Sequence, residues 1–190
     1  LEVGNHGLTH EEERSHFALW SIVKAPLIIG CDLNTVSDES LTILKNKNLI
    51  AVNQDPQEGR LSVSGLWLSS YRGLWSSLDH DDGFFAVVAV NWDDEEAHPL
   101  SLDFVEIGAA DDQFTECQVI DLWTGNNIGN YRGVYMETVP IKSHDNVSLK
   151  IKCNNKKAAT PNSELHALSL LTIIVFFIKL ADPTHYTNLH

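Results

Sequence analysis

Glu2 and Asp32 are the carboxylates whose placement could do chemistry, because each lies near the carboxyl end of an expected strand, on neighbouring strands. Two carboxylates brought together at such strand ends are what nucleophilic and acid/base chemistry requires. The other reactive types are less promising. His10 and His16 do not have the spacing of a helical zinc motif, and no Cys-x-x-Cys occurs among the three cysteines. Cys31 follows an apolar run, as a packed thiol or as the partner of a cysteine outside this sequence would. Cys117 and Cys153 fall in one β-rich region, where a disulfide between them suits an oxidising compartment. Asn146-Val147-Ser148 is an acceptor pattern for N-glycosylation. Trp67, Trp75, Trp92 and Trp123 could stack on sugar rings, but they are spread over separate elements and fit filling a core or a domain boundary better.

The elements that must position the two carboxylates are read from residues 1 to 56. Leu1 to Asn5 has the look of a strand end. Thr9 and Glu12 form a capping box, and Phe17, Trp20 and Val23 recur at helical spacing while Glu11, Glu12, Glu13 and Arg14 stay polar. This predicts an amphipathic helix whose aromatic stripe packs on a strand. Pro26 ends it. Leu27, Ile28 and Ile29 run without a polar residue, as a parallel strand covered on both faces does, and the chain bends at Gly30. Ser37 with Asp38 and Glu39 predicts a helix start, Leu41 and Leu44 its apolar face, and Asn48 to Pro56 a returning loop.

From Gly59 onward the period changes. Phe84 to Val90 is strongly β-forming and lies between turn-rich segments; Leu100, Leu102 and Phe104 alternate with polar neighbours; Gln118 to Trp123, Tyr131 to Val139 and Val147 to Ile151 follow, with Thr124 to Gly129 as a turn. About six to eight short strands argue for an antiparallel sandwich, with the first of them, between Arg60 and Leu78, the least defined.

Four pieces, LEVGN at 1–5, KAPLIIGCDL at 24–33, NLIAVNQDP at 48–56 and DLWTG at 121–125 with TVP at 138–140, together resemble the C-terminal portion of the α-galactosidases of glycoside hydrolase family 27. The resemblance runs over roughly residues 1 to 153. It implies α/β plus all-β architecture: the last two βα units of a (β/α)8 TIM barrel in residues 1–58, an antiparallel β-sandwich in 59–153, and a tail in 154–190 unrelated to the family. It further implies a parent enzyme that hydrolyses terminal α-D-galactosides with retention, using no metal or cofactor. An α-N-acetylgalactosaminidase or a β-L-arabinopyranosidase within the family remains an alternative, as does a non-catalytic sugar-binding or structural β-module.

By the same resemblance, both catalytic aspartates belong to strands upstream of Leu1. No catalytic residue is therefore assigned in this chain, Glu2 and Asp32 become loop-bracing carboxylates, and the chain alone is expected to be inactive. Two barrel units cannot close, so the Leu27 to Ile29 edge and the Phe17 and Trp20 face should lack partners.

Composition is consistent with this and narrows the partners. The 190 residues carry a formal charge of −13, and no Lys/Arg run is dense enough for a nucleic-acid surface. The chain opens on Leu, and Met136 is its sole methionine, so the natural start is expected to lie upstream. Ala167 to Ile178 is uncharged but short of the roughly twenty residues of a membrane span. Secretion is the expected localisation.

Overall fold

A computed structural model describes residues 1–55, 60–62, 72–78 and 84–154, with backbone alone for 60–62 and 72–78. The tail, Trp67 and the side chain of Trp75 lie outside these residues. The described residues belong to one compact unit, Leu1–Ala159. No helix among them is long and apolar enough to cross a membrane.

Helix α1 spans His10–Ile22, and its capping box forms as the sequence predicts: the Thr9 side chain accepts from the Glu12 backbone N–H while the Glu12 carboxylate accepts from that of Thr9. Helix α2, Asp38–Leu44, starts at the Ser37 cap, although its buried residues are Ser40 and Ile43 rather than Leu41 and Leu44. Helix α3, Lys47–Gln54, replaces the expected returning loop. Asn46 caps it by accepting from the Asn48 and Leu49 N–H groups, and Leu49, Val52 and Asn53 make its buried face. Asn53 then donates to the carbonyls of Trp20 and Ala25, tying α3 to the last turn of α1 and to the segment after it.

The two strands expected before residue 56 are absent. Leu1 to Asn5 and Leu27 to Ile29 are irregular, and Ile28 and Ile29 are 71% and 47% exposed. A parallel strand is defined by ladders to its neighbours, and among the described residues neither segment is paired in a sheet. The segments still lie side by side: the Leu1 amino group donates to the Ile28 carbonyl at 2.9 Å, and a Cβ on Gly30 would come within 2.6 Å of the Leu1 carbonyl oxygen.

The β region is an antiparallel sheet in the order β1(Arg60–Ser62), β2(Arg72–Leu78), β3(Phe84–Asn91), β8(Asn146–Cys153), β5(Glu116–Asp121), β6(Asn127–Arg132). A two-stranded sheet of β4(Ser101–Asp103) and β7(Val134–Met136) faces it. The expected strand from Tyr131 to Val139 is thus split: Gly133, at φ +70°, ends β6 and begins a strand of the other sheet. One core fills the space between the sheets, with Phe85, Val87 and Ala89 of β3, Leu149 and Ile151 of β8 and Val119 of β5 meeting Leu102, Phe104 and Tyr135.

Every residue of β3 is buried. Its Phe85, Val87 and Ala89 side chains point into this core. Its opposite face is covered by α1, which packs on β3 and β8 as well as on α2 and α3, and this explains an apolar run without the alternation of a half-solvated strand. The Phe17 face, expected to lack a partner, is therefore covered, and Phe17 is 1% exposed.

Candidate functional site

The carboxylates from which the chemistry was first sought each serve their own loop. Glu2 accepts a hydrogen bond from the Asn5 side chain at 2.8 Å. Asp32 accepts from the backbone and side-chain nitrogens of Asn34, both at 2.9 Å, and the backbone bond first, then the side-chain bond, hold its pKa below the usual carboxylate value. A general acid needs the opposite shift.

What ties the first of these loops to α2 is Glu13, which the helical pattern placed on the polar face. Its carboxylate is buried, accepting from the Gly4 N–H and the Ser40 hydroxyl, both at 2.7 Å. Gly4 sits at φ +85°, and a Cβ there would meet Val36 Cγ2 at 2.6 Å and Cys31 Sγ at 3.0 Å, so the Leu1–Asn5 loop can nest on the Cys31–Val36 loop only with glycine at this position. No local sequence signal marks Glu13. Its role appears only when α1, α2 and the first loop converge.

His16 lies beneath the same loop, 2% exposed and stacked on Trp20, and its Nε2 accepts from the Glu2 backbone N–H at 3.1 Å. Burial lowers its pKa from 6.5 to about 4. Because the folded value is depressed, stability is lost as pH falls from the unfolded value towards the folded one: the unfolded chain takes up a proton that the folded chain refuses. The loss is roughly 3 kcal/mol over that window. Denaturant midpoints measured across it should fall in the native chain and fall less in His16→Gln; equal acid slopes would remove His16 as the cause.

A second polar cluster joins α1 to the β-sandwich. Asn146 is 3% exposed, its Oδ1 accepting from Trp123 Nε1 at 2.9 Å and from Ser148 Oγ at 2.7 Å, while its Nδ2 donates to Ser15 Oγ at 3.3 Å. Arg14 donates to Asp145 at 2.9 Å and lies over the Trp123 ring, 4.2 Å from its centre. Two expectations meet this geometry. Trp123 fills the boundary between helix and sheet, with its indole edge and face both engaged. Asn146, expected from sequence as a glycan acceptor, is buried in this structure, with its amide nitrogen donating to Ser15 of α1. The acceptor pattern is local, whereas the burial is tertiary.

Cys117 and Cys153 are directly opposed on β5 and β8 and are joined as a disulfide, as the sequence suggested; Cys31 is free. Among the described residues, Asp93, Glu96 and His98 have ligand atoms within 4.8 Å of one another. Asp93 Oδ1 accepts from the Glu95 and Glu96 N–H groups and its Oδ2 pairs with His98 Nε2 at 2.9 Å. The hydrogen bond with His98, followed by those two N–H bonds, lowers the Asp93 pKa to about 2. An acidic turn closed by a histidine accounts for this grouping, and no metal is assigned to it.

Comparison with known proteins identifies what this scaffold belongs to. The family described as alpha galactosidase A matches residues 1–55, and the alpha galactosidase C-terminal beta sandwich domain matches residues 71–151. The probable alpha-galactosidase B of Aspergillus oryzae is 34% identical over 162 residues, covering 80% of this chain and 36% of that protein. Alpha-galactosidase 3 of Arabidopsis thaliana is 59% identical over 108 residues, covering 49% of this chain and 24% of that protein. The crystal structure of alpha-galactosidase I from Mortierella vinacea superposes with a TM-score of 0.72 at 27% identity, covering 85% of this chain and 39% of that one. The chain thus spans little more than a third of the length of these relatives at most. With both matches in the expected order and 85% of the chain superposing on a solved alpha-galactosidase, the chain belongs to glycoside hydrolase family 27, to whose C-terminal part it corresponds.

Proposed function

We propose that the whole protein is a retaining α-galactosidase, which hydrolyses terminal α-D-galactosides through a covalent galactosyl-enzyme, and that this chain supplies part of its framework and none of its catalytic carboxylates. On this reading residues 1–58 are the last two βα units of the barrel, 59–153 the β-sandwich, and 154–190 a tail outside the family. The observation that carries it is the pair of family matches, at 1–55 and 71–151, in one chain. The local chemistry agrees. Glu2 and Asp32 are committed to their own loops, and Glu13 ties the first of those loops to α2, which suits the rim of a pocket whose reacting groups come from elsewhere. The Cys117–Cys153 disulfide supports secretion.

Fusing upstream βα units of a family member before Leu1 tests the proposal. A closed barrel would give Leu27 to Ile29 the strand neighbours they lack and cover Ile28 and Ile29. The fusion should release α-galactose first from an aryl α-galactoside, visible by proton NMR before mutarotation, because a retaining mechanism returns the starting anomer. A folded fusion that binds galactose and releases none would make this a non-catalytic relative. First release of the β-anomer would overturn retention. The 190-residue chain alone should show no turnover, since the nucleophile itself is missing.

A further inference from the structure

His144 stands at the meeting of three elements. It occupies the turn before β8 in a left-handed conformation, φ +58°. Its Nδ1 lies 3.2 Å from Glu12 Oε1 on α1, and its Nε2 lies 2.9 Å from Asp94 Oδ1 in the turn after β3. Carboxylates accept and do not donate, and a neutral imidazole has one N–H, so both contacts are hydrogen bonds only in the imidazolium. With a neutral ring, one carboxylate faces a lone pair.

The neighbouring charges are already engaged. Lys142 pairs with Glu11 at 3.0 Å, and Arg14 pairs with Asp145 at 2.9 Å, while the His144 carbonyl accepts from the Ser15 hydroxyl at 2.6 Å. Among these side chains His144 is the one whose residue type gains or loses a proton near neutral pH.

We propose that the seam between α1 and the β-sandwich is a proton-operated latch, in which protonated His144 clamps Glu12 of the helix and Asp94 of the sandwich, and its deprotonation loosens the docking of the helix. The proposal does not rest on the catalytic reading above. It would couple the part of the chain expected at a barrel rim to the acidity of the surroundings through the sandwich domain.

The electrostatics run the same way. The hydrogen bond with Glu12, and after burial, which opposes it, that with Asp94, raise the His144 pKa above its ordinary value. Glu12 is lowered despite the opposing effect of burial, through its bonds to His144 and Thr9. A raised folded pKa means that the latch contributes its full stabilisation below the unfolded value of 6.5 and loses it as pH rises through the folded value. This is the reverse of His16, and the two act in different pH windows.

Ring-proton NMR titration of the 190-residue chain tests it, with the His144 signal assigned by its loss in His144→Gln. The His144 midpoint should lie above 6.5 and move down in Asp94→Asn, a change at a carboxylate 86% exposed and so tolerated by the fold. In parallel, the thermal midpoint of the native chain should drop by a few degrees between about pH 6 and about pH 8, and that drop should shrink in His144→Gln. A His144 midpoint at or below the ordinary value, or equal pH slopes in the native chain and His144→Gln, would overturn the latch.

Discussion

Replacing Cys117 and Cys153 together by alanine is expected to lower the unfolding free energy by roughly 4 kcal/mol. The bridge closes a loop with a sequence separation of 36, and the cost of leaving that loop open falls on the unfolded ensemble, which gains conformations when the link is cut. The bridge also ties β5 to β8, and its two half-cystines pack in the core between the sheets. Denaturant unfolding of the native chain with and without reductant, beside the double variant, measures it. The reduced native chain and the variant should unfold at similar, lower denaturant concentrations. A variant with the native midpoint would mean that the ladders around β8 hold the region without the covalent link.

The next largest effect is expected at Asn146→Ala, again roughly 4 kcal/mol. Removing the amide strands the Trp123 indole N–H and the Ser148 hydroxyl, at about 1–3 kcal/mol for each buried group left unsatisfied, and leaves a small void as well. Trp123 is the informative reporter. Its indole is held by Asn146 at the edge and by Arg14 over the face, so the variant should change near-ultraviolet circular dichroism as well as the midpoint. A change in midpoint below about 1 kcal/mol would show that the indole finds another acceptor at little cost.

What was legible in the sequence followed the range of the interaction responsible. The Thr9–Glu12 box and the Ser37 cap are satisfied within a few residues and could be read directly. So could β3, because a run from Phe84 to Val90 admits little else, and so could a bridge between Cys117 and Cys153. Leu27 to Ile29 carry the composition of a strand, but composition supplies no hydrogen-bonding neighbour, and the segment stays irregular. Helix α3 was missed because Asn48 and Asn53 resemble loop residues; their amides are spent on the carbonyls of Leu122, Trp20 and Ala25 in distant parts of the chain. The burial of Glu13 and of Asn146 could not be read from the sequence, for one reason. Each has polar partners brought in by elements far along the chain, and sequence pattern alone treats a polar residue as exposed.

The packing of α1 on β8 also sets a clock for synthesis. Arg14 and its partner Asp145 are separated by 131 residues. At ribosomal speeds of about 5–20 residues per second, the helix emerges on the order of ten seconds before the turn it will grip. Throughout that interval the part of its surface destined for β8 is exposed on the nascent chain, available to chaperones and to neighbouring chains alike. The arrival of β8, rather than the formation of the helix, ends that exposure.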